Sequence, residues 1–230
     1  MPNGNNELRQ LLRSRFEIAI DPIHHEEVVD PLVDFIVDVL LNLDAPSCSS
    51  DESQSIVIFA FGWIRLLNGN LEPGPINDDL LEVTRQILSR NAHASVHAQH
   101  EVGERLAADG ERQINVIYPT IDEMTTVDYL STAGVWTKVI DYAGGPERLG
   151  KTLVLGHRFH VPRVCRQGRN LGVDCYIPND VSLPAAFDPS LQNQPWCRNA
   201  LVFLVHSMIS ELVFFRRAVL RAAAPSTRDD

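Results

Sequence analysis

Residues 55–61 read Ser-Ile-Val-Ile-Phe-Ala-Phe, a β-branched and aromatic run with no polar alternation. A strand with one face in water alternates apolar and polar side chains, so an unbroken apolar run must be covered on both faces. Strands of that kind belong to parallel sheets, whose crossover helices supply the two covering layers. The run Leu-Val-Leu at 153–155 has the same character.

Helical patterns lie between such runs. Strands are expected at 55–61, 94–98, 114–118, 152–155 and 174–177, and helices at 78–90, 101–108, 125–142 and 162–170. In the first of these helices Leu80, Leu81, Thr84, Ile87 and Leu88 recur on one face. Thr125 and Asp128 have capping-box spacing at the start of the third, and Gly144-Gly145-Pro146 closes it. Residues 68–77, rich in Asn, Gly and Pro, read as a loop. Alternation of this kind predicts an α/β protein, a Rossmann-like three-layer sandwich on a mainly parallel sheet of about five strands.

Upstream, Asp30-Pro31 reads as an N-cap followed by proline at the first helical position, and Val29, Leu32, Val33, Ile36, Leu40 and Leu43 form one apolar face. Residues 45–54 read as a Ser/Asp/Pro linker. The expected division is therefore a helical extension at 1–47, an α/β domain at 55–223 ending in a long helix, and a tail at 224–230.

Thirty acidic residues against 20 basic give a formal net charge of −10, which leaves no basic groove for nucleic acid. The apolar stretch 200–215 is broken by His206, Ser207, Ser210 and Glu211, so no membrane span is expected. The first ten residues lack a secretory apolar core, and the four cysteines form no C-x-x-C pair. Free thiols in a reducing cytoplasm are the expectation.

The candidate chemistry gathers where strands end. At 156–163 the chain reads Gly-His-Arg-Phe-His-Val-Pro-Arg, which sets His157, Arg158, Phe159, His160 and Arg163 just beyond a buried strand. In open α/β sheets ligands bind at that carboxyl edge. Gln99 and Glu101 follow the second strand, Gly62 and Trp63 follow the first, and Thr126, Asp128 and Ser131 belong to the third helix. This convergence predicts a small-molecule site.

Arg158 and Arg163 suit an anionic group through forked hydrogen bonds. His160, whose ordinary pKa is close to neutrality, is expected to give or take a proton. Glu101 and Asp128 are expected to orient ligand hydroxyl or amino groups or to serve as a base. Gly-x-Ser-x-Gly, Gly-x-Gly-x-x-Gly and Walker patterns are all missing, which argues against α/β-hydrolase, standard dinucleotide and P-loop chemistry. Pro162 interrupts His157, His160 and Cys165, so no metal is expected.

Phe159-His160-Val161-Pro162-Arg163 resembles the Phe-His-Met-x-Arg segment of the YdcF-like family of bacterial α/β proteins, which includes the SanA and ElyC envelope proteins. Thr126-Val127-Asp128 is similar to its Thr-x-Glu, and Trp196 and Glu211 lie in a region similar to its last segment. The chain departs from that pattern at Tyr129, at Gly156-His157 and at 98–101, all within the proposed site. The resemblance implies a nucleotide-type ligand, S-adenosylmethionine first, with transferase chemistry on a polar or anionic substrate. A phosphoester hydrolase and a non-catalytic ligand-binding module are the alternatives. Residues 11–43 are the candidate surface for a homodimer.

Overall fold

The computed structural model describes residues 4–16, 29–65, 71–110, 113–119, 130–191 and 194–223. Six strands form one sheet: β1 (Ser47–Cys48), β2 (Ser55–Ile58), β5 (Ser95–Gln99), β6 (Ile114–Ile117), β7 (Thr152–Leu155) and β8 (Cys175–Pro178). Their order is β1-β8-β7-β2-β5-β6 and every pairing is parallel. The chain runs outward from β2 through β5 to β6, then returns to the other side of β2 for β7 and β8. The reversal point therefore lies between β2 and β7, which pair from Ser55↔Thr152 to Ile58↔Leu155.

The uninterrupted strand patterns are explained by their two covers. Val57, Phe59 and Val154 face one layer, where α5 (Thr132–Ala143) contributes Val135, Trp136 and Val139, and α6 (Val161–Asn170) contributes Val164. Ile56, Ile58, Leu153 and Leu155 face the other, where α3 (Pro75–Arg90) contributes Leu80, Leu81 and Ile87, and α4 (His100–Ala108) contributes Val102 and Leu106. Each fully buried aliphatic or aromatic side chain contributes about 1.5–3 kcal/mol, so the central strands anchor the domain. Trp136 is fully buried and its indole N–H donates to the Val164 carbonyl at 3.0 Å, tying α5 to α6. Gly144, at φ 80°, closes α5 as expected: its N–H reaches the carbonyls of Ile140 and Asp141.

Several boundaries differ from expectation. The supposed linker at 45–54 contains β1, which hydrogen-bonds to β8 at the sheet edge and so joins the N-terminal layer to the α/β core. The supposed loop at 68–77 contains β4 (Leu71–Pro73), which pairs antiparallel with β3 (Trp63–Arg65) before it, and the first residues of α3. The expected cap at Thr125 and Asp128 lies outside the described residues; the described part of α5 begins at Thr132, with Ser131 as N-cap.

Asp30 is not an N-cap either. Val29 is already helical, Asp30 is the first residue of α2 (Asp30–Asp34), and its carboxylate takes the Arg13 guanidinium at 2.8 Å. From α2 the chain continues as a π-helical stretch, Phe35–Leu41. With α1 (Gly4–Phe16) it buries Leu8, Leu12, Val33, Ile36 and Val37 against Leu204 and Met208 of the 24-residue α7 (Ala200–Ala223).

Candidate functional site

Beyond its last paired residue, β2 runs through Phe59, Ala60 and Phe61 to Gly62, which turns the chain at φ 84°. A Cβ there would stand 2.5 Å from Leu191 Cδ1, so the position needs glycine for both conformation and space. Asn77, wholly buried in the first turn of α3, holds this turn. Its amide accepts from the Phe61 N–H at 2.8 Å and donates to the carbonyls of Phe61 and Gly62. The Gly62 N–H donates to Gln194 Oε1 at 3.1 Å.

On the β7 side of this strand end lies His160, just before α6. Its ring is 5% exposed, meets Phe59 and Phe203 edge-on, and places Nε2 3.3 Å from Thr132 Oγ1. Nδ1 is buried with no hydrogen-bond partner among the described residues. Burial, reinforced by the positive charge of Arg163, pushes the His160 pKa well below its ordinary value. The imidazole is therefore neutral at physiological pH. It can accept a proton or a hydrogen bond, but the expectation of a residue titrating near neutrality is corrected by its desolvation.

Arg163, on the first turn of α6, is 8% exposed. With His160, Gln194 and His206 it lines a hollow closed by Phe61 and Trp196, with room for about one water molecule. His206 stacks on Trp196 at 4.4 Å, and burial followed by the Arg163 charge lowers its pKa. Gln194 and His206 are not legible in the sequence as site residues. In the sequence His206 is a polar interruption of an apolar run, and Gln194 carries no local signal.

His157 has a different place. It is wholly buried, stacked on Phe61 with centroids 4.1 Å apart and 12° between planes, and its Nε2 donates to the Ala186 carbonyl at 3.0 Å. Burial lowers its pKa to about 4, the nearby carbonyls of Ala186 and Ala185 resisting. Phe159 stacks on Phe187, and the Arg158 guanidinium lies 3.3 Å from the Glu7 carboxylate of α1. Arg158, Phe159 and Asp44 border a wider, largely apolar cavity of about 510 Å³ over the ends of β1 and β8. Arg158 thus stands at this wider cavity with an acidic partner, apart from the smaller hollow that His160 and Arg163 line.

On the β5 side, Gln99 Oε1 accepts from the Ala60 N–H at 2.9 Å, so Gln99 and His160 both abut the end of β2. The Glu101 side chain is 4% exposed, with Oε2 3.1 Å from His100 Nδ1. The His100 ring packs against Trp63, at 5.2 Å, and against Tyr118, at 5.6 Å. Burial lowers the His100 pKa, but the Glu101 and Glu104 carboxylates and the Ile117 carbonyl outweigh it, and the net shift is upward. Sequence reasoning placed Glu101 and Trp63 at the site but not the imidazole joining them.

Ser131 caps α5 by accepting from the Gly134 N–H at 3.1 Å, which accounts for its hydroxyl. Thr126 and Asp128 lie outside the described residues. Among the described residues no three His, Cys, Asp or Glu side chains gather as a metal ion would require. Likewise no helix among them is long and apolar enough to cross a membrane. Compared with family models, curated proteins and solved structures, the chain matches none.

Proposed function

We propose that this chain is a small-molecule enzyme of the YdcF-like type, binding a nucleotide-type ligand at the carboxyl edge between β2 and β7. The observation that carries this reading is the buried group of His160, Thr132 and Arg163 beside the reversal point of the sheet. An imidazole nitrogen buried without a partner costs about 1–3 kcal/mol, which an apolar residue would avoid. Its neutral state lets a ring nitrogen accept a hydrogen bond from a ligand, and the neighbouring guanidinium suits an anionic or developing negative group.

The hollow admits one polar group of a ligand, so the remainder lies along the rest of the carboxyl edge. The choice of S-adenosylmethionine and of transferase chemistry rests on the resemblance of 159–163 and 126–128. The small volume of the hollow favours one second reading, a module that binds without catalysis.

Calorimetric titration with S-adenosylmethionine, followed by turnover assays against small anionic acceptors using mass spectrometry, tests the proposal. Binding by the native chain is expected, with Arg163→Ala weakening it about tenfold or more, the scale of a charge-assisted hydrogen bond. His160→Ala is expected to keep binding and lose turnover. Absence of any binding by S-adenosylmethionine, nucleotides and sugar phosphates overturns the reading. Binding without turnover of any acceptor leaves the module.

A further inference from the structure

We infer that Glu101 is the ribose-recognising carboxylate of a nucleoside subsite walled by Trp63 and Tyr118; this rests on the nucleotide reading above. Three observations converge on it. The first is topological. Counting outward from the reversal point, β2 is the first strand and β5 the second, and Glu101 stands two residues past the end of β5. In doubly wound sheets that bind nucleotides, this is the place from which a carboxylate reaches the ribose hydroxyls.

The second is the state of the carboxylate. Glu101 is buried, and although Oε2 lies 3.1 Å from His100 Nδ1, that oxygen completes no hydrogen bond among the described residues. A carboxylate is an acceptor with two oxygens, and the vicinal hydroxyls of a ribose are two matched donors. The third is the wall. Tyr118 is 49% exposed and Trp63 half-buried, and the His100 ring lies against each of them, so aromatic surface remains uncovered for a purine face. The subsite and the hollow flank one strand end, because Gln99 grips the Ala60 N–H and Ala60 borders the hollow. A ligand with a nucleoside at one end and a charged group at the other spans that arrangement.

Calorimetric titration of the full chain with adenosine, 2′-deoxyadenosine and S-adenosylmethionine tests this. The native chain is expected to prefer adenosine over its 2′-deoxy analogue about tenfold or more, the scale of a hydrogen bond to a charged group. Glu101→Gln, which keeps the shape and halves the acceptor capacity, is expected to erase most of that preference. Trp63→Leu is expected to weaken both nucleosides equally, by about tenfold. Equal affinity of the native chain for both nucleosides, or an unchanged preference in Glu101→Gln, overturns the ribose assignment and leaves the nucleotide reading standing. Absence of binding by adenosine and by S-adenosylmethionine overturns the ribose assignment, and absence of binding by nucleotides and sugar phosphates as well overturns both. The preference of the native chain needs no variant, so the test survives if Glu101→Gln fails to fold.

Discussion

Replacing His157 by phenylalanine should make the protein less sensitive to acid. In the folded chain the imidazole is stacked on Phe61 and donates to the Ala186 carbonyl, and burial holds its pKa at about 4 against an ordinary 6.5. A folded pKa depressed in this way means that the unfolded chain binds the proton first. The neutral histidine therefore costs nothing above pH 6.5, and stability is lost as pH falls from about 6.5 towards 4. The linkage relation gives a loss of roughly 1.4 kcal/mol at about pH 5.5 and roughly 2.5 kcal/mol at about pH 4.5.

His157→Phe keeps the stack and removes the titration, while leaving the Ala186 carbonyl without its donor, for about 1 kcal/mol at neutral pH. The variant should accordingly be less stable than the native chain at about pH 7.5 and more stable at about pH 4.5, the curves crossing between. Urea unfolding across that range, followed by circular dichroism, measures both curves. The lowered pKa values of His97, His160 and His206 and the raised ones of His100 and Glu211 belong to both proteins and largely cancel in the difference. Parallel curves would refute the assignment of His157 as a buried neutral imidazole.

Three further outcomes follow from the same geometry. Gly62→Ala places a Cβ 2.5 Å from Leu191 Cδ1 at a positive φ, and should lower unfolding stability by about 1–3 kcal/mol. Thr132→Val removes the hydroxyl at His160 Nε2 and should cost about 1 kcal/mol in the same assay, with a loss of ligand affinity if the hollow is a binding site. Cys48, Cys165, Cys175 and Cys197 are all free and buried, so a bulky aromatic disulfide reagent should label none of them in the native chain and all of them after denaturation; rapid native labelling of any one would contradict its burial.

The two-sided burial of β2 and β7 is written in their composition, because each residue of a covered strand meets an apolar layer regardless of which helix provides it. Gly144 stops α5 because only glycine readily takes the left-handed turn there. The two-residue β1 is not legible in the sequence, since periodicity needs several residues to register and its pairing depends on the edge that β8 presents.

The site divides along the same line. The sequence alone determined that imidazole, guanidinium and carboxylate groups would follow buried strands, and hence stand at the carboxyl edge. Only the tertiary structure decided which of them sits where. His157 and His160 are the same side chain three residues apart, yet one lies in an aromatic stack and the other faces the hollow, because the turn into α6 rotates them into different neighbours. Gln194 and His206 reach Arg163 from a distant segment, and His100 meets Trp63 and Tyr118 through the strand order. Contacts between remote segments arise from the packing of whole layers, and no local stretch of sequence carries them.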